Sequence, residues 1–101
     1  MELHHDDVRI STDRTGTLLV AGDLDMAGAP VLDAALRALD VADLRIDLSE
    51  VTFLDSSGVN VIVAALNDRH DHGGLVLSAV SPRARRTLEI SGILPLFATA
   101  C

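Results

Sequence analysis

Hydrophobic and polar positions along the chain follow two periods, and the changes of period divide it into strands and helices. A period of two predicts strands, and a period near 3.6 predicts amphipathic helices. The predicted strands are residues 8–12, 17–22, 44–48 with an extended continuation at 51–54, 75–80 and 93–98. The predicted helices run from residue 30 to about 39, from 57 or 58 to about 70, and from 81 or 82 to 92.

The predicted order is β-β-α-β-α-β-α-β, and the connections suggest how the strands pair. Residues 13–16 (Asp-Arg-Thr-Gly) are typical of a tight turn, so the first two strands form a hairpin. The strand–helix–strand passages that follow predict parallel pairs. The inward-facing helical stripes are Val31, Ala35, Leu36 and Leu39 in the first helix, and Val59, Ile62, Val63 and Leu66 in the second. We therefore predict an α/β fold, a mixed β-sheet with helices packed against it, in one domain covering residues 1–101.

Composition and charge limit the classes of partner. Hydrophobic residues make up 49% of the 101 residues and aromatic residues only 2%, so the core consists of aliphatic side chains. The net charge of −7 repels the phosphates of nucleic acids and of anionic membranes, and we expect neither partner. The N-terminus lacks an apolar signal core, and Cys101 is the only cysteine, so we expect a cytoplasmic protein.

The segment Asp55-Ser56-Ser57-Gly58 stands between an apolar strand and an apolar helix. A helix start offers free backbone N–H groups and a partial positive charge, and it therefore accommodates an anion. Asp55, Ser56 and Ser57 are all good capping residues, and Gly58 permits close approach of another chain. On local grounds alone, a simple cap and turn explains this segment as well as a regulated site does.

A second acidic segment, Gly22-Asp23-Leu24-Asp25, follows an earlier strand. In the predicted topology both segments lie at the same end of the sheet, where open α/β sheets place their sites. This pairing favours a functional surface that contains Asp23, Asp25 and Asp55 together with a serine.

Three other kinds of chemistry receive little support from the sequence. A serine hydrolase needs a base close to its serine. His70 and His72 lie at the far end of the second predicted helix, about 20 Å from Ser56 and Ser57 at 1.5 Å per helical residue. The sequence also contains no G-x-S-x-G motif. The His4-His5 and His70-Asp71-His72 clusters lack a complementary ligand set, so we predict no metal site, no cofactor and no catalytic residue. Arg83, Arg85 and Arg86 form the one basic concentration, which either binds an acidic partner or is an exposed helix face.

At these residues the chain resembles the STAS domains, and most closely the bacterial anti-sigma factor antagonists. The resemblance covers nearly the whole chain. It is carried by Gly22-Asp23-Leu24-Asp25, the strand Leu44-Arg45-Ile46-Asp47-Leu48, the block Val51-Thr52-Phe53-Leu54-Asp55-Ser56-Ser57-Gly58-Val59, and the segment from Ser81-Pro82 to Gly92.

The resemblance implies a phosphorylation switch. In such antagonists a partner anti-sigma factor, which is a serine kinase, phosphorylates the serine directly after the aspartate; here that serine is Ser56. The unphosphorylated antagonist captures the anti-sigma factor, which releases its sigma factor, and a serine phosphatase resets the switch. The expected partner-binding residues are Asp23, Asp25, Asp55, Ser57, Gly58, Val59 and Asn60.

Two departures from the family pattern add expectations. Relatives usually continue into a final helix, whereas this sequence ends at Cys101. Either that helix is dispensable or some apolar surface is left for another chain to cover, and a homodimer is worth testing. Asn60 stands where many relatives carry glycine or a small residue. The alternative hypothesis is a STAS-type scaffold or sensor subunit of a signalling or transport complex that is not controlled by phosphorylation.

Overall fold

A mixed β-sheet organises the molecule. The computed structural model describes residues 2–5, 7–39, 43–68, 74–92 and 98–99. The strands are β1 (Glu2–His5), β2 (Val8–Thr12), β3 (Leu18–Leu24), β4 (Asp43–Leu54), β5 (Gly74–Val80) and β6 (Ala98–Thr99). The helices are α1 (Ala29–Ala38), α2 (Ser56–Asp68) and α3 (Pro82–Ile90). The predicted fold class and element order are confirmed, and β1 is an additional N-terminal strand.

The strands of this sheet lie side by side in the order of the chain, from β1 to β6. The pairs β1–β2 and β2–β3 are antiparallel, whereas β3–β4, β4–β5 and β5–β6 are parallel. Each helix connects two neighbouring parallel strands, and such crossovers are almost always right-handed. Three successive crossovers in one direction therefore place α1, α2 and α3 on the same face of the sheet.

The core lies between that face and the helices. Leu18, Ile46 and Leu77 are neighbours across β3, β4 and β5, and all three are fully buried. Leu32 of α1 and Ile62 of α2 belong to the same buried cluster. The alternate strand positions point the other way because side chains in a strand alternate between faces. Among them are two exposed arginines, Arg9 of β2 and Arg45 of β4.

Asp13 closes the predicted turn between β2 and β3. Its Oδ1 accepts hydrogen bonds from the Thr15 hydroxyl at 2.6 Å, from the Thr15 backbone N–H at 2.8 Å and from the Thr17 backbone N–H at 3.0 Å. These bonds, that of the Thr15 hydroxyl foremost, hold the pKa of Asp13 below its ordinary value, because they favour the charged carboxylate.

Several predicted boundaries and helix faces shift in the structure. β3 continues to Leu24 because Asp23 pairs with Phe53 and Leu24 with Leu54, so Asp23 belongs to a strand and not to a loop. The two predicted segments at 44–54 form one strand. Leu32 lies at the centre of the buried α1 stripe, whereas the predicted Val31 and Leu39 are partly buried. In α2, Val59, Ile62 and Ala65 are buried as expected, whereas Val63 and Leu66 are partly buried. Most of the last predicted strand lies outside the described residues.

The end of β4 extends beyond β5 and is covered by α3 instead. β4 pairs with β5 only as far as Leu48, whereas its pairing with β3 continues to Leu54. The Ser81 backbone N–H donates to the Leu48 carbonyl at 3.1 Å, and the Ser81 hydroxyl donates to the Val51 carbonyl at 2.8 Å. Ser81 Oγ also accepts from the Ala84 backbone N–H at 3.1 Å, so one buried hydroxyl caps α3 and bonds to the free edge of β4.

Replacing this hydroxyl tests its double role. Ser81→Ala removes the cap and leaves the buried Val51 carbonyl without its donor. We expect the free energy of unfolding to fall by about 1–3 kcal/mol. Chemical denaturation checks this, with Ser91→Ala as the control because Ser91 is exposed and its hydroxyl bonds only to the preceding turn. Equal stability of the two variants would contradict the role assigned to Ser81.

Candidate functional site

The ends of β3 and β4 bring the two acidic segments together. These strands are parallel, and their last paired residues are Leu24 and Leu54. The Asp55 backbone N–H donates to the Leu24 carbonyl at 3.3 Å, which ties the start of the second segment to the end of the first. Asp23, Asp25, Asp55 and Ser56 therefore lie at one end of the sheet, and we call this group the acidic corner.

Ser56 is the first residue of α2, and its side chain is exposed. The cap is Asp55, whose Oδ1 accepts from the Ser57 backbone N–H at 2.8 Å and, more weakly, from that of Gly58 at 3.4 Å. The first helical hydrogen bond runs from the Val59 N–H to the Asp55 carbonyl at 3.0 Å. No residue in the described part of the chain hydrogen-bonds to the Ser56 hydroxyl. Capping by Asp55 thus leaves that hydroxyl unengaged at the positive end of a helix.

Asp25 shapes the loop that precedes α1. Its Oδ1 accepts from the backbone N–H groups of Ala27 and Gly28, both at 2.9 Å, and its carbonyl accepts from Ala29 at 2.8 Å. The carboxylate is partly exposed, so it lies at the surface while it fixes the loop.

Asp23 is held from the side by β4. Its Oδ1 accepts from the Thr52 hydroxyl at 2.6 Å. Gly22, directly before it, has φ +95°, and a Cβ at that position would overlap the Asp7 carbonyl oxygen. Only glycine fits this close approach between β2 and β3. No sequence pattern marks Thr52 as part of the site, because its contact with Asp23 joins positions 29 residues apart.

Two of the predicted partner-binding residues are buried within the protein itself. A Cβ on Gly58 would lie 2.6 Å from Leu54 Cδ1 and 2.8 Å from the Leu24 carbonyl oxygen. Val59 is only 7% exposed and belongs to the core cluster. Gly58 has no side chain and the Val59 side chain packs into the core, so neither residue offers a side chain to a partner; their part in partner binding stays a prediction.

The remaining predicted residues are accessible. Asn60 is exposed on α2, and Ser57 is partly exposed beside Ser56. Phe53, which the sequence analysis treated only as part of a strand, is 40% exposed two residues before Asp55. Its exposure is unexpected because Val51 and Leu54 on either side of the Thr52-Phe53 pair are both buried, which breaks the simple alternation.

Within the described ranges, no three His, Cys, Asp or Glu side chains are grouped so that they could hold a metal ion. His70 and His72 lie outside the described residues. None of the described helices is long and apolar enough to cross a membrane.

Comparison with known proteins assigns the family. A family model described as "Mlab, STAS domain" matches residues 9–95, which include every strand and helix from β3 to α3. The chain belongs to the STAS domain family. The matched region contains the whole acidic corner of this STAS protein.

Similar proteins are found among both sequences and solved structures. An anti-sigma-B factor antagonist of Listeria monocytogenes is 40% identical over 80 residues, which are 75% of this chain and 70% of the relative. The anti-sigma-B factor antagonist of Bacillus subtilis is 39% identical over 77 residues, 73% of this chain and 71% of that protein. The crystal structure of an anti-sigma factor antagonist from Mycobacterium paratuberculosis superposes with a TM-score of 0.76 at 29% identity, covering 98% of this STAS chain and 81% of that one.

Gly58 provides a test of how the acidic corner is built. Gly58→Ala places a methyl group within 3 Å of Leu24 and Leu54. We expect the free energy of unfolding to fall by about 1–3 kcal/mol, because overpacking forces α2 away from the strands. Thermal or chemical unfolding measures the loss, and Asn60→Ala is the control on the exposed face of the same helix, expected to stay within about 0.5 kcal/mol. A Gly58→Ala variant as stable as the control would contradict this packing.

Proposed function

We propose that this STAS protein is an anti-sigma factor antagonist that is switched by phosphorylation of Ser56. Unphosphorylated, it binds a serine kinase anti-sigma factor and displaces the sigma factor; phosphorylated, it releases the kinase, and a serine phosphatase restores it. It acts as a regulatory binding protein and not as an enzyme. The single observation that carries the proposal is the exposed, unengaged hydroxyl of Ser56 at the start of α2.

The local geometry suits a phosphate acceptor. A kinase needs the acceptor oxygen free of internal hydrogen bonds and accessible to the γ-phosphate. Asp55 already caps the helix, so phosphorylation of Ser56 does not remove a structural hydrogen bond. The helix N-terminus stabilises the added negative charge by about 0.3–1 kcal/mol. The modified protein therefore keeps its fold, and the effect of the phosphate falls on binding.

The surrounding charges give the switch its direction. A phosphoserine carries about −1.5 to −2 charges at neutral pH. It joins the carboxylates of Asp23, Asp25 and Asp55, which are fixed in place by hydrogen bonds to Thr52 and to backbone N–H groups. Because these carboxylates cannot move away, a partner that fits the unmodified corner meets a bulky, strongly negative group in the same space.

The proposed contact surface consists of the acidic corner together with Ser57 and Asn60. Asp23, Asp25, Asp55, Ser57 and Asn60 thus surround Ser56. Gly58 and Val59 support this surface from beneath, since both are buried. Similarity to anti-sigma-B factor antagonists of Listeria monocytogenes and Bacillus subtilis supports the choice of an anti-sigma factor as the partner.

The first test concerns the modified residue. The purified protein is incubated with ATP and its cognate serine kinase anti-sigma factor, and peptide mass spectrometry locates the phosphate. We expect one phosphate per chain, on Ser56, in the wild type and in Ser57→Ala, and none in Ser56→Ala. Phosphate on Ser57 in place of Ser56 would overturn the assignment. A protein that binds the kinase yet never accepts phosphate favours a scaffold or sensor role without phosphorylation.

The second test concerns the switch itself. We expect Ser56→Ala to bind the kinase with wild-type affinity even in the presence of ATP, because it cannot be modified. We expect Ser56→Asp to bind about tenfold or more weakly, which corresponds to about 1.4 kcal/mol. Calorimetric titration measures both affinities, with Ser49→Asp as a control for added charge at an exposed position outside the proposed contact surface. Equal affinities of Ser56→Ala and Ser56→Asp would contradict the proposed mechanism.

A further inference from the structure

We propose that the groove between the end of β4 and α3 docks an acidic segment of the same anti-sigma factor, beside the acidic corner. We call this surface the α3 groove; its lining includes Phe53, Pro82, Arg83, Arg86, Thr87 and Ile90. The inference rests on the proposed function, because it takes the kinase as the occupant. It adds a second contact region with the opposite charge.

The α3 groove contains large apolar side chains that are exposed at the surface. Ile90 is 78% exposed and Phe53 is 40% exposed, and together with Met26 they are the large hydrophobic residues that stand out from the described surface. Two of these three residues thus line a single groove. Aromatic and aliphatic side chains at such positions are common anchors of protein interfaces.

The groove is also positively charged, in a chain whose net charge is −7. Arg83 and Arg86 are exposed, and neither forms an ion pair with any residue in the described part of the chain. Arg83 lies in the first turn of α3, which contains no acidic residue, and Arg86 lies at the middle of the helix. A helix dipole disfavours a cation in the first turn, here Arg83, by about 0.3–1 kcal/mol.

The position of Arg83 therefore opposes stability, and no residue in the described part of the chain forms an ion pair with it. A carboxylate-bearing segment would compensate, because arginine forms strong, often bidentate hydrogen bonds with carboxylates. The α3 helix dipole adds attraction of the same sign. Charge complementarity thus points to an acidic occupant, and the exposed Phe53 and Ile90 require that it also carries an apolar side chain.

Proximity to Ser56 argues that the occupant belongs to the kinase. The Thr87 hydroxyl of α3 donates to the Leu54 carbonyl at 3.3 Å, and Leu54 directly precedes Asp55. Phe53 is three residues from Ser56, at most about 11 Å along an extended chain. A standard interface covers about 800 Å² on each partner, a disc of about 16 Å radius. A kinase centred on Ser56 therefore reaches the α3 groove.

The test compares two double charge reversals in the full chain. Arg83→Glu/Arg86→Glu alters the α3 groove, and Arg14→Glu/Arg45→Glu makes the same change in net charge at exposed positions near the opposite end of β3 and β4. We expect the first to weaken binding of the cognate kinase about tenfold or more, and the second about twofold or less. Ile90→Ser, which removes an exposed apolar side chain, should weaken binding by an intermediate factor.

Kinetics of Ser56 phosphorylation separate docking from chemistry. A docking defect raises KM for the protein substrate and leaves kcat unchanged, because the groove does not contact the transferred phosphoryl group. Thermal unfolding of each variant verifies the fold. Glutamate at position 83 is compatible with the start of α3, since a helix N-terminus favours acidic residues.

The outcomes are distinguishable. If the kinase binds and phosphorylates Ser56 but the two double variants behave alike, the docking inference is wrong and the proposed function stands. If the groove variants lose affinity while Ser56→Asp binds like the wild type, docking is supported and the phosphorylation switch fails. If the wild type binds no serine kinase anti-sigma factor, both proposals fail together.

Discussion

The close contact between the first turn of α2 and the ends of β3 and β4 is the constraint on which the acidic corner depends. Gly58 has no side chain, so α2 approaches Leu24 and Leu54 closely enough that any Cβ would collide with them. This approach sets where α2 begins and therefore where Ser56 stands. The hydrogen bond from Asp55 to the Leu24 carbonyl holds the same junction from the strand side. A serine at the surface is thus positioned by apolar packing beneath it.

The three carboxylates at the corner combine structural work with surface charge. Each accepts hydrogen bonds, Asp23 from a threonine and the other two from backbone N–H groups, yet each remains at least partly exposed. Because hydrogen bonds hold these carboxylates, their negative charges stay beside Ser56. Under the proposed switch, no rearrangement of their side chains relieves the repulsion from an added phosphate. Under the proposed switch, the helix dipole makes the phosphate compatible with folding, and the carboxylates make it incompatible with a closely fitting partner. The proposal thus assigns local stability and lost affinity to different neighbours of one hydroxyl.

The sequence predicted what periodicity and parallel topology control. The elements followed from hydrophobic spacing, and the meeting of Asp23, Asp25 and Ser56 followed because parallel strands end at one edge of a sheet. What it did not predict depends on tertiary packing. β1 is short and polar, so it carries no strand pattern of its own. Gly58 appeared available to a partner, because nothing local shows that α2 packs it against Leu24 and Leu54. The exposure of Phe53 depends on α3 replacing β5 beside the end of β4.

That replacement also brings opposite charges together at one end of the molecule. The pairing of β5 with β4 ends at Leu48, and α3 lies against the remainder of β4. Thr87 of α3 bonds to the Leu54 carbonyl, directly before Asp55, so the helix that carries the arginines lies beside the acidic corner. Under both proposals a partner contacts an acidic and a basic area at once, which fixes its orientation as well as its affinity. Phosphorylation changes the charge of the acidic area alone. The partner then loses its fit at Ser56 but keeps its attraction to Arg83 and Arg86, so the switch lowers affinity in a graded way, and its depth depends on ionic strength.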